Sequence, residues 1–186
     1  MKFPLWFGLV LFSLPAMPQS AAPAGVSSEW DVRKLLDNLD LQAQHLKPII
    51  DQVRPETWKG APDAYVAQWK SAQAELGYFL SSIGSLSKDS ERLTLALDAY
   101  FRMQAMESTL GSLVEGVRKY QNPALADLAQ TFVAENSANR DRLRQYISDL
   151  AVQKEQEFKV VDREAQRCRG QLLNPSPTKE RKPSHP

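Results

Sequence analysis

Apolar residues recur at steps of three and four through most of this chain, and that spacing restricts what it can fold into. Alternating steps of three and four return to one side of a helix with 3.6 residues per turn, so each run is the inward stripe of an amphipathic helix. The first run is Val32, Leu36, Leu39, Ala43, Leu46, Ile50, Val53, and the second is Tyr65, Trp69, Ala72, Leu76, Phe79, Ile83, Leu86. The third is Ala96, Tyr100, Met103, Glu107, Leu110, Val114, Val117. The fourth is Leu125, Leu128, Phe132, Asn136, Asn139, Leu143, Tyr146, Leu150, continuing through Phe158, Val161, Ala165, Cys168 and Leu172. No stretch alternates polar and apolar residues long enough for a strand.

Local signals divide these runs into elements. Ser28 with Asp31 three residues on suits a cap, Pro48 should bend the first helix, and Pro55 ends it. Pro62 suits a first helical position, with Asp63 at the positive end of the helix dipole. The polar stretch 85–90 breaks the second run with side chains that compete for backbone hydrogen bonds. Asn122 then Pro123 reads as a cap and restart. Helices are expected over 29–53, 62–86, 90–120 and 123–173. Short connections make neighbours antiparallel, so the expected fold is all-α, an antiparallel up-down-up-down four-helix bundle with an extended C-terminal helix.

Two flanks stand apart from residues 25–173. Residues 1–24 read as a signal peptide: Lys2 supplies positive charge, Leu5 to Leu14 an uncharged apolar run, and Ala22-Pro23-Ala24 a small-x-small cleavage pattern before Gly25. A run of about ten residues falls short of the roughly 20 a spanning helix needs, so no stable membrane span is expected after cleavage. The expected destination is the periplasm or the exterior. Residues 174–186, rich in Pro and mildly basic, have almost nothing to bury and read as a disordered tail.

Composition removes several function classes. The formal net charge is +1, and losing Lys2 with the leader leaves 22 basic and 22 acidic residues, so no nucleic-acid partner is expected. One Cys excludes a disulfide-stapled mini-fold, and two His, His45 and His185, are too few for a His-rich zinc site. Gly-x-Ser-x-Gly, His-Glu-x-x-His, Cys-x-x-Cys and a nucleotide-binding glycine loop are all missing, as is any Glu-x-x-His pair for a di-iron bundle. No catalytic residue, cofactor or metal is expected, and the chain does not read as an enzyme.

Helix length supplies the first positive indication. At about 1.5 Å per residue the third helix spans roughly 45 Å and a continuous fourth helix roughly 75 Å. About 20 residues near 154–173 would overhang the bundle, yet their face Phe158, Val161, Ala165, Cys168, Leu172 stays apolar and coiled-coil-like. A partner protein, a second copy or a fold-back after Val152 would cover it. Parallel pairing of two such segments would bring the two Cys168 thiols together in a disulfide-capable homodimer. The alternative is that Cys168 is only a small apolar residue at a seam position.

The second indication is polar residues on inward stripes. With antiparallel helices, His45 lies level with Trp69, Glu107 and Asn136, and Asn139 is one turn away. Trp69, Asn136 and His45 are the expected hydrogen-bond donors to a buried Glu107. A register-fixing polar layer is the plain reading, and a small polar ligand pocket the sharper one. The function expected from the sequence is therefore an exported, non-enzymatic protein acting by protein contact or self-association through its long C-terminal helix. The alternative is a small-ligand binder using the core pocket.

Overall fold

The computed structural model describes residues 29–173. The leader expected over 1–24, the cap at Ser28 and the tail expected over 174–186 lie outside the described residues. Four α-helices make up the described chain: α1 (Glu29–Asp51), α2 (Ala64–Lys88), α3 (Leu93–Tyr120) and α4 (Pro123–Leu173). A single 3-10 turn, Pro55–Thr57, lies between α1 and α2. Among the described residues there is no strand, and no helix is long and apolar enough to cross a membrane.

The helix boundaries differ from the expected ones for local reasons. Pro48 sits in the final turn of α1, where losing one backbone donor removes little of the helix. After Asp51 the chain tightens, with Gln52 N donating to Ile49 O and Val53 N to Ile50 O. Pro62 precedes α2: Tyr65 N donates to Pro62 O and Val66 N to Asp63 O, a narrower entry turn before the helix proper. Arg92 holds extended backbone and serves as N-cap of α3, which delays that helix to Leu93. At α4, Asn122 Oδ1 accepts from Ala124 N at 2.9 Å and Pro123 is the first helical residue.

α1 packs on α2 and α4, while α3 packs on α2 and α4. Between them lies one apolar core in which Leu39, Leu46, Phe79, Leu86, Met103, Leu143 and Leu150 are fully buried. Each of the large residues here contributes on the order of 2 kcal/mol through removal from water. α3 buries more than the expected single stripe, adding Ala99, Met106 and Leu113, because a helix between two neighbours needs a wider apolar face. In α4 the expected place of Leu128 in the core is corrected: Leu128 is exposed, and Ala126 and Ala129 face inward instead. Small side chains at those positions let α4 approach closely.

One end of the core is closed by three rings. Trp58 stacks on Tyr120 at 5.8 Å and meets Tyr65 edge-on at 5.3 Å. Gln121 ties both connections there: its Oε1 accepts from Arg54 N at 2.9 Å and from Trp58 Nε1 at 3.0 Å, and its Nε2 donates to Gln52 O at 2.9 Å. Gly116 makes room for the rings, since a Cβ there would lie 2.5 Å from Tyr65 and 2.8 Å from Trp58. Elsewhere, the Tyr146 hydroxyl donates to the carbonyl of Ser90 in the α2–α3 connection. Burial pushes this phenol above its ordinary pKa, while the Ser90 side chain, distinct from the carbonyl that accepts the phenol proton, opposes that shift.

Two outcomes are expected. Gly116→Ala should destabilise by about 1–3 kcal/mol through overpacking, whereas Gly111→Ala should stabilise by about 0.5–1 kcal/mol from helix propensity. At Gly111 a Cβ would meet nothing within 4 Å. Urea denaturation distinguishes the two sites, and equal effects would remove the close approach as an explanation. For Tyr146 the protonated phenol is the neutral form, and its folded pKa is the higher one. The linked stability is therefore fully present below the unfolded value of about 10 and is lost as pH rises through the folded value. Melting between about pH 8 and 11 should show a steeper alkaline loss for the natural protein than for Tyr146→Phe.

Candidate functional site

Two regions are candidates: the polar level inside the body and the free length of α4. Inside the body, Glu107 on α3 receives Nη1 of Arg140 on α4 at 2.9 Å. The Glu107 side chain is 9% exposed and that of Arg140 36%. The carboxylate is thus held inside while the guanidinium bridges to the rim, with its stem along the apolar surface. Glu107 Oε1 is buried with no hydrogen-bond partner among the described residues. Asn136, one turn before Arg140, is completely buried, and neither of its amide atoms has a partner there.

The other residues expected at this level do different things. Trp69 is half-buried and its Nε1 donates to Ile50 O at 3.0 Å, linking α2 to α1 instead of reaching Glu107. Asn139 is buried and its Nδ2 donates to Gln42 Oε1 at 2.9 Å, linking α4 to α1. His45 is exposed and so stands outside the polar level. Its neighbour Leu46 takes the inward position, and one residue along a helix turns about 100° away from it. The expected donors to Glu107, His45, Trp69 and Asn136, are therefore corrected to Arg140, the Asn136 amide being without a partner among the described residues. The signal was partly present in the chain: Glu107 lies 14 residues before Gln121 and Arg140 lies 18 after Asn122, one turn past level and within reach of a long guanidinium side chain.

These residues form separate links between neighbouring helices. Among the described residues, no group of three or more His, Cys, Asp and Glu is placed to hold a metal ion. A groove of about 400 Å³ runs between the start of α1 and the middle of α4, lined by polar residues including Lys34, Asn38, Arg142 and Gln145. Val32 and Tyr146 of the sequence stripes also line it, but its polar walls lie on the flanks of the stripes, to which the stripes do not point.

The free length of α4 is simpler. α4 continues through Val152 as one helix of 51 residues, and every residue from 155 to 173 is exposed. Phe158 is 72%, Val161 65% and Leu172 81% exposed. Ala165 and Cys168 are exposed between them, the latter as a free thiol. This segment does not fold back on the body. Around the stripe, Lys154 pairs with Glu157 at 3.1 Å and Arg167 with Glu164 at 3.1 Å. Hydrogen bonds from Gln153, and then from Lys154, hold the Glu157 carboxyl below the usual carboxylate range.

No protein-family model, curated protein or solved structure matches this chain.

Asn136 yields a direct test of the polar level. A buried amide without partners costs about 1–3 kcal/mol of desolvation, so Asn136→Leu is expected to raise stability by an amount of that order. Urea denaturation measures it. A comparable loss of stability would mean that the amide is satisfied in solution and holds the helices in register.

Proposed function

We propose that this chain is an exported, non-enzymatic protein whose helices form an antiparallel up-down-up-down bundle and whose overhanging α4 works by protein contact. Support for the bundle comes from the order of contacts. Along α3 and α4, Glu107 meets Arg140 and Arg118 meets Asp127. Between α2 and α3, Glu75 lies by Arg102, and Tyr65 lies against Gly116. Between α1 and α4, Gln42 meets Asn139, while Leu35 and Tyr146 line one groove. In each pair the residue number falls on one helix as it rises on the other. On α1 and α2, Ile50 meets Trp69, and Val32 shares a groove with Ser87 in the same sense.

The observation that carries the contact reading is the bare stripe Phe158, Val161, Ala165, Cys168, Leu172 on a continuous helix. Water penalises an apolar surface of this extent, and a second helix is the element that covers such a seam. Export follows from the leader over 1–24 and places the stripe outside the cytoplasm.

A photo-activated amino acid at position 161, compared with one at the exposed body position Thr131, tests this in the cell envelope. The expected result is an adduct from position 161 alone, abolished by Phe158→Asp. Because Phe158 is exposed, that substitution should change stability by no more than about 0.5 kcal/mol. No adduct from position 161 would refute the contact reading. The partnerless Asn136 amide and Glu107 Oε1 favour a second reading, a small polar ligand held at that level. Such a ligand would raise the melting temperature of the natural protein and leave Asn136→Leu unmoved.

A further inference from the structure

Resting on the reading of the overhang as a contact helix, we infer that its partner is the same segment of a second copy of this chain, bound antiparallel. The bearing of the stripe is the first reason. Leu150 is fully buried and points into the body. Cys168 follows eighteen residues later, which at 3.6 residues per turn is five whole turns, and Val161 lies only about 20° from the same bearing. The overhanging stripe therefore faces the side on which the body lies, just beyond the body's end. A second α4 laid parallel on that face would run back through the space occupied by the other three helices. Laid antiparallel, it brings only its own C-terminal end toward the first body and carries its own body past Leu173.

Charge is the second reason, and it selects a register. With Phe158, Ala165 and Leu172 at one seam position and Val161 and Cys168 at the other, Asp162 and Arg169 flank the seam on one side. Glu157 and Glu164 flank it on the other. Glu157 and Glu164 already pair within their own helix. Among the described residues, no hydrogen bond or ion pair engages the side chain of Asp162 or Arg169. The antiparallel alignment that sets Ala165 against Cys168 of the second copy also sets Asp162 against Arg169 of the second copy. Two-fold symmetry makes that pairing twice. A parallel alignment instead sets Glu157 beside Asp162 of the second copy, like charge against like, and Glu164 beside Arg169 of the second copy. Its unfavourable and favourable pairs cancel, whereas the antiparallel alignment has only the favourable one. In the antiparallel seam the two Cys168 thiols do not face each other, so the dimer forms without a disulfide.

Light scattering on the full chain without its leader, over a range of concentrations and with and without reductant, tests this. A reversible dimer of unchanged mass in reductant is expected. Asp162→Arg and Arg169→Asp should each weaken dimerisation by about tenfold or more, and the double exchange should restore it. Circular dichroism establishes that each variant stays folded. Tighter dimerisation by Asp162→Arg alone would mean parallel pairing and overturn the inference, as would a dimer that falls apart in reductant. A monomer at every concentration would also overturn it. In that case an adduct from position 161 to a different protein keeps the contact reading, and the absence of any adduct removes both.

Discussion

Each helix here carries an apolar stripe that nothing but another helix can shield from water. α1 and α3 each lie between α2 and α4, and the shared core of Leu, Phe and Met side chains is the consequence. The same requirement explains the small residues at contacts. Ala126 and Ala129 replace a larger side chain where α4 comes close, and Gly116 leaves the volume that Trp58 and Tyr65 fill. It also explains why the core stops where it does. Once α3 and its neighbours turn, after about 42 Å of helix, the stripe of α4 has none of the other described residues beside it.

Polar groups decide which arrangement of stripes is adopted. Apolar side chains tolerate sliding by a turn, whereas a buried carboxylate needs its partner at one height. Glu107 with Arg140 sets α3 against α4, Asn139 with Gln42 sets α4 against α1, and Trp69 with Ile50 sets α2 against α1. Gln121 fastens the connections at one end, and Tyr146 holds the α2–α3 connection at the other. Asn136 is the exception. Neither atom of its buried amide has a hydrogen-bond partner among the described residues, so the amide sets no register and costs stability.

Much of the helical character was legible because periodicity is a local property. The stripe of α1 from Val32 to Val53 is buried at every position, and Asn122-Pro123 marks the start of α4 without reference to anything distant. What was illegible depends on which helix lies beside which. Leu128 and Ala129 both fit a step of three or four from Leu125, and only the direction of the neighbouring helices chooses between them. His45 is next to the stripe in sequence but a quarter turn or more away in space, so counting levels along the chain gave it a role that its bearing denies. Arg140 was overlooked because a long basic side chain reads as surface, although its stem can carry the charge inward. The ring cluster of Trp58, Tyr65 and Tyr120 joins residues from three separate segments, and no spacing rule connects them.

From Ala124 to Arg169 there is no Gly or Pro, so the overhang and the body share one uninterrupted rod. Mechanically it is a lever with its fulcrum in the core. The nineteen residues beyond the body make an arm of about 28 Å, and a tilt of about 10° at Leu143 or Leu150 swings the tip by roughly 5 Å. Strain applied at the tip is transmitted to the seats of Tyr146 and Arg140. The reach of this arm is accordingly written in residue count, since each added residue lengthens it by about 1.5 Å and turns its face by about 100°.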